Sequence, residues 1–233
     1  MLTVSNLVVE DNETKIMYDV SLSLSEGDFV ILYGENEAGK TTLIEAIAGI
    51  SKYKTRGKIN FKGIEISNLS VNERVELGIV SILQEFPMID KIKFLTLFKW
   101  LRFSEKKLKK YLKVLDLSPR VLNMEINKFT SMYETKAMNV LLALALDPII
   151  LLIDELEYGL TKKQFKKLSN FILDSFKTVK AILWATSSLE LLKILPSAKV
   201  YWISQGKIIL EDKPHIIDYL VREYTKSRLR DRS

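Results

Sequence analysis

Apolar and polar positions change their period several times along this 233-residue chain. Residues 2–33 read as strands: Leu7-Val8-Val9, then the alternation Val20, Leu22, Leu24, then the continuous run Phe29 to Tyr33. From Thr41 the period shifts to that of a helix, which stops near Gly49. Lys58 to Phe61 and Ile79 to Leu83 are predicted strands, with a short helix over Glu73 to Leu77 between them. From about Pro87 to Lys128 the chain turns helical, lysine-laden and aromatic, as an inserted lobe would. The spacing then predicts a helix over about 131–146, a buried strand over 149–153, a helix over about 161–176 and a strand over 181–185. A short helix, a hairpin-like pair around Gln205-Gly206 and a final helix from about Pro214 complete the chain. Strands alternating with helices imply an α/β fold with a largely parallel sheet and its ligand at the carboxyl ends of the strands.

Composition narrows the chemistry. There is no cysteine, which excludes thiol nucleophiles, disulfides and cysteine-ligated metal. There is one histidine, His215, so no histidine cluster can act. Nine glycines, about 4 % against a usual value of roughly 7 %, leave few glycine-dependent loops. The net charge of +6 comes from lysines along helices and a C-terminal cluster of Arg222, Lys226, Arg228, Arg230 and Arg232. A solvated surface explains that charge, and an acidic partner or lipid surface is the alternative. The N-terminal residues carry acids and no long apolar core, unlike a signal peptide. The strongest apolar stretch, Val140 to Ile153, is cut by Asp147-Pro148 and falls short of the roughly 20 residues of a membrane helix. A cytoplasmic protein is expected, peripheral to a membrane only through a partner.

Gly34-Glu35-Asn36-Glu37-Ala38-Gly39-Lys40-Thr41 fits the phosphate-loop pattern directly between a predicted strand and a predicted helix. Its glycines let backbone N–H groups turn toward phosphate oxygens at the positive end of a helix dipole. Lys40 is expected to reach the outer phosphates and Thr41 to ligate Mg²⁺, with Thr42 completing the nucleotide-binding segment. A second signal is the apolar run Ile149 to Ile153 followed by Asp154 and Glu155: a metal-shell carboxylate, then a candidate base for water.

With these motifs in that order the sequence resembles the ATP-binding-cassette (ABC) ATPases over nearly its whole length. The resemblance implies a P-loop fold with a mixed-sheet core (residues 1–86 and 129–233), an N-terminal antiparallel β part and a helical lobe (87–128). It places Gln84 as the Q-loop glutamine, a metal and catalytic ligand beside Thr41, Asp154 and Glu155. It implies ATP and Mg²⁺ as ligands, a second ABC protomer (the same chain or another) as partner, and no nucleic acid. Gln84-Glu85-Phe86-Pro87, Leu156-Glu157 after the candidate base, and the closing stretch from Trp184 to Leu210 are similar to the ATPase subunit of the Suf iron–sulfur assembly system. The alternatives are a transporter nucleotide-binding subunit and a non-catalytic regulatory paralogue.

The chain departs from the family where the partner protomer is served. Thr130-Ser131-Met132-Tyr133-Glu134 stands at the signature, so bulky side chains replace both glycines. Ser187 stands at the switch histidine, Thr161 at the D-loop aspartate, and Glu37 at a loop glycine. No aromatic stands near Glu10 to Asn12 to stack on a base, which forfeits about 1 to 3 kcal/mol. MgATP binding with slow hydrolysis is expected. For scaffold proteins or a membrane subunit, the expected docking surface lies around Asp90, Phe94 and Phe98, although apolar residues at helical spacing equally fit a core.

Overall fold

The first two strands, β1 (Leu2–Asp11) and β2 (Thr14–Leu24), reverse at Asn12 and Glu13, both with positive φ. The computed structural model describes residues 1–84, 92–125, 131–175 and 179–230, the side chains of 224–230 excepted. Then come β3 (Phe29–Tyr33), α1 (Lys40–Ala48), β4 (Lys54–Phe61), β5 (Ile64–Glu65), α2 (Val71–Glu76) and β6 (Ile79–Ile82). The stretch expected to form a lobe contributes α3 (Phe94–Trp100), α4 (Glu105–Val114) and a 3-10 turn (Pro119–Asn123). The rest is α5 (Met132–Ala145), β7 (Ile150–Asp154), α6 (Lys162–Ser175), β8 (Ala181–Thr186), α7 (Leu189–Ile194), β9 (Lys199–Ser204), β10 (Lys207–Asp212) and α8 (Pro214–Arg230).

Two sheets result. An antiparallel sheet has the order β2-β1-β4-β5, and a mixed sheet the order β10-β9-β3-β8-β7-β6 with only β10 antiparallel. The central strands are apolar throughout because both faces are covered. Ile31, Leu151, Ile153 and Trp184 pack toward α3 to α6, while Val30, Leu32, Leu152 and Leu183 pack toward α1 and the N-terminal sheet. Strands β3, β8, β7 and β6 are parallel neighbours, so their carboxyl ends share one edge.

The long apolar stretch from Val140 to Ile153 is divided between α5 and β7, with Asp147 at positive φ between them. Among the described residues no helix is long and apolar enough to cross a membrane. Strand β4 begins at Lys54, earlier than expected, because its exposed Lys54 to Gly57 portion pairs with β1 without any apolar alternation.

Arg74 joins two elements that sequence leaves separate. Helix α2 starts with a capping box between Ser70 and Glu73, and its buried Arg74 turns onto the end of α1. The guanidinium donates to Ala46 O at 2.7 Å, Ile47 O at 2.8 Å, Leu69 O at 3.0 Å and Ser67 O at 3.0 Å. It thereby serves carbonyls of the last turn of α1, where Ala46 O otherwise accepts only from Gly49 N at 3.4 Å.

The expected docking surface needs correction. Phe94 and Phe98 are 0 % and 1 % exposed and belong to the core under α5. Four residues apart, they share one face of α3, whereas Trp100 lies outside it at 66 % exposure. Asp90 and the Glu85-Phe86-Pro87 stretch lie outside the described residues, as do Arg232 and the side chains of Lys226, Arg228 and Arg230. Arg222 pairs with Asp218 within α8 at 3.0 Å.

Candidate nucleotide site

The loop from Gly34 to Gly39 leaves the end of β3 and enters α1. Gly34 is required by close approach, since a Cβ there would lie 2.5 Å from Ile203 O. Gly39 has φ of 101° and caps α1 without any side-chain oxygen, so the first-turn N–H groups are left for an anion. Glu37, at the loop position where the family pattern has glycine, holds φ of 64°. That conformation costs an L-residue roughly 1–2 kcal/mol.

Asn36, Glu37, Gly39, Lys40, Thr41, Thr42, Gln84 and Glu155 line one cavity of about 470 Å³, together with Ile16, Glu157, Tyr158 and Ser187. The strand order explains the convergence: Gln84 follows β6, Glu155 follows β7, and Ser187 follows β8. Glu35 and Ala38 line instead a second cavity of about 460 Å³ on the far side of the loop, which Asn36 and Glu37 also border.

The Lys40 ammonium is buried and donates to Gly34 O at 3.0 Å and Glu35 O at 2.8 Å, with Glu155 Oε1 at 2.8 Å. Glu155 is itself held at φ of 40°, its N–H bonded to Ala185 O at 3.0 Å. Its carbonyl accepts from Lys136 Nζ at 3.0 Å. Lys136 is 1 % exposed; burial lowers its pKa, and Glu157, Asp154 and Glu155 oppose that shift. This lysine is a site residue the sequence reading missed. Its signal was a cation set among apolar residues of α5.

Asp154 lies beneath the cavity, 1 % exposed, and neither carboxylate oxygen has a hydrogen-bond partner. Burial pushes its pKa up to about 6, partly offset by the adjoining Thr41 side chain and by Lys40. A buried carboxylate without donors beside a threonine hydroxyl fits a hard cation. Among the described residues no group of three or more His, Cys, Asp or Glu is placed to hold a metal alone. The donor set Thr41, Asp154 and Gln84 therefore suits a Mg²⁺ that arrives with phosphate oxygens.

The signature region is only partly obstructed. Ser131 caps α5, accepting from Glu134 N at 3.2 Å, and Glu134 pairs with Arg120 at 3.4 Å. Tyr133 turns into the lobe and donates its hydroxyl to Leu115 O at 2.8 Å, so it leaves the outer face clear. Met132 remains there, exposed and packed on Gly159. Thr130 lies outside the described residues. Thr161, at the aspartate position of the D-loop, is occupied in capping α6 through Gln164. His215 lies on α8 and is not among the residues lining the cavity. Glu10 to Asn12, where no aromatic stands, are not among the residues lining the cavity, and Ile16 of β2 lines it.

A glycine-bounded loop at a helix N-terminus, a buried lysine and acids at the end of a parallel strand one place removed in the sheet define a P-loop nucleotide-binding protein. Comparison with known proteins refines this class. The ABC transporter family model matches residues 17–157. The chain is 31 % identical over 225 residues, 90 % of each protein, to a probable ATP-dependent transporter, ycf16, of Trieres chinensis. It is 30 % identical to the iron–sulfur cluster assembly protein SufC of Plasmodium falciparum, over 89 % of this chain and 65 % of that one. An ATP-binding cassette solved as a dimer in a post-hydrolysis state with ADP and Pi superposes with a TM-score of 0.76 at 22 % identity, covering 92 % of this chain and 99 % of that one. A nucleotide-free cassette gives 0.75 at 23 % identity, covering 91 % of each. The chain belongs to the ABC transporter family and is an ABC-type ATPase.

Proposed function

We propose that this ABC ATPase binds MgATP, turns it over slowly and uses nucleotide-dependent association to move partner proteins in a Suf-like iron–sulfur assembly system. The observation that carries the reading is the single cavity shared by Lys40, Thr41, Gln84 and Glu155 above the donor-free Asp154. In this reading the loop from Gly34 to Thr42 holds the phosphates, Thr41, Gln84 and Asp154 hold Mg²⁺, and Glu155 takes a proton from water. Mg²⁺ supplies charge neutralisation on the phosphates. Slow turnover is supported by Met132 on the signature face and by Ser187, a single neutral donor, in the switch position.

The Suf assignment rests on the acidic Glu157 and on relatives of that name; a transporter subunit is the second reading, supported by relatives named as transporters. In either case the partner docks beside α3 rather than on Phe94 and Phe98. An apolar groove of about 380 Å³ there is lined by Ile50, Leu83, Leu97, Trp100, Leu101 and Leu146, next to Gln84 in sequence. Asn139, also in its lining, has a buried Oδ1 without a partner. The groove suits the apolar face of a partner helix that brings one donor for that oxygen. A cytoplasmic location belongs to the same reading.

Size analysis with and without MgATP, beside phosphate release, tests this, with Lys40→Ala as the control. Association and slow release that both vanish in Lys40→Ala support it. Turnover at ordinary ABC rates overturns the slow-hydrolysis part, and stabilisation by MgATP without association favours a regulatory paralogue. Co-purification of an integral membrane subunit instead of soluble scaffolds selects the transporter reading.

A further inference from the structure

Glu157 carries the feature that nucleotide binding leaves unexplained. It stands two positions after the candidate base, and its carboxylate crosses from the end of β7 to the end of β8. Oε1 accepts from the Thr186 hydroxyl and from Ser187 N at 3.1 Å. The Thr186 oxygen in turn accepts from Ser188 N at 2.9 Å, and the Ser188 hydroxyl caps α7 by accepting from Glu190 N at 3.2 Å. One carboxylate thus fixes three consecutive residues, 186 to 188. The middle one, Ser187, lines the nucleotide cavity together with Lys40, Thr41, Gln84 and Glu155.

The geometry points to Glu157 as a positioning residue that holds Ser187 at the terminal-phosphate end of the cavity. This rests on the nucleotide-binding reading above. A serine is short, neutral and free to rotate, so its value to a phosphate depends on a backbone that is already fixed. Without Glu157 two donors, Thr186 Oγ1 and Ser187 N, lose their acceptor; Thr186 keeps its backbone pairing with β3, its carbonyl accepting from Gly34 N at 3.2 Å, but Ser187 is left between that strand end and the cap of α7 with no side chain holding it. The burial that raises the Glu157 pKa is opposed by those same two hydrogen bonds.

The test reads discrimination between ADP and a non-hydrolysable ATP analogue, so it does not depend on turnover. Titration calorimetry with Mg²⁺ compares the full-length wild type with Ser187→Ala, Glu157→Ala, the double variant and Glu157→Gln. Ser187→Ala and Glu157→Ala are each expected to cut the preference for the analogue by about tenfold, the worth of one hydrogen bond to a charged group. ADP affinity stays within about twofold, and the double variant loses no more than either single one. Glu157→Gln, whose carbonyl oxygen can accept both bonds, restores the preference. If Glu157→Ala does not fold, Glu157→Asp, too short to reach both donors, replaces it in the cycle. An unchanged preference in that variant, multiplicative losses in the double variant, or an equal fall in ADP affinity overturns the proposal while leaving nucleotide binding intact. A wild type that binds neither nucleotide overturns both.

Discussion

Lys40 Nζ lies 2.8 Å from Glu155 Oε1, so the proposed phosphate lysine and the proposed base neutralise each other. The pair is closed off by two loop carbonyls, Gly34 O and Glu35 O. A terminal phosphate competes with Glu155 for the same ammonium. Glu155→Gln removes the competing charge and is expected to tighten ATP binding by roughly threefold to tenfold, the worth of an ion pair of about 1 kcal/mol. Turnover should fall at least about a hundredfold with loss of the base. ATP affinity and phosphate release, measured side by side, check both effects.

Glu37 is exposed in the phosphate loop and brings a negative charge to the cavity wall. Glu37→Gly is expected to raise ATP affinity about threefold at low salt, and the gain should shrink as ionic strength rises. Stability should change little. Relief of the left-handed strain is of order 1 kcal/mol, and the extra chain entropy of glycine offsets it.

Asp154 makes stability depend on pH. Its pKa rises from 3.8 in the unfolded chain to about 6 when folded. Between about pH 4 and about pH 6 the folded protein therefore holds a proton that the unfolded chain has released. Stability falls as pH rises through that window; the penalty, on the order of 3 kcal/mol, is full above it and absent below. Without nucleotide, Asp154→Asn should melt roughly 6–12 °C higher than wild type at pH 8 and equally at pH 4. Added MgATP should stabilise the wild type and leave the variant unmoved. Thermal melts at the two pH values read all of this.

Arg74 satisfies four carbonyls with one buried guanidinium. Arg74→Met takes the guanidinium from all four, leaving Ala46 O only its bond from Gly49 N at 3.4 Å, and should cost about 3 kcal/mol, a fall in Tm of roughly 6–12 °C for a chain of this size. Lysine should rescue little, since a single ammonium cannot span the four acceptors. Denaturant midpoints for the two variants provide the measurement.

Phe98 and Trp100 separate core from surface within one helix. Phe98→Ala should destabilise by about 3–5 kcal/mol through the cavity it leaves. Trp100→Ala should change stability by roughly 0.5 kcal/mol or less and instead weaken partner capture. Equal stability losses at both positions would assign the groove to the fold itself.

Much of this molecule is legible in local pattern. The phosphate loop between β3 and α1, the acids that end β7 and the division of Val140 to Ile153 at Asp147-Pro148 follow from hydrophobic period and from residues with one strong backbone preference. Such signals act over a few residues and need no partner. Which face of α3 is buried is different, because Phe94, Phe98 and Trp100 are all apolar and only packing against α5 decides among them. The same holds for Tyr133, which turns into the lobe toward Leu115, and for Lys136, which reaches the Glu155 carbonyl nineteen positions away in sequence. Arg74 on the end of α1 and Glu157 on the end of β8 span still longer separations. The sequence by itself determined the loop, the succession of strands and helices along the chain and the residue types at the strand ends. The tertiary structure decided which charges neutralise one another and which side chains hold them, because contacts between distant segments form only once the sheet sets its strand order.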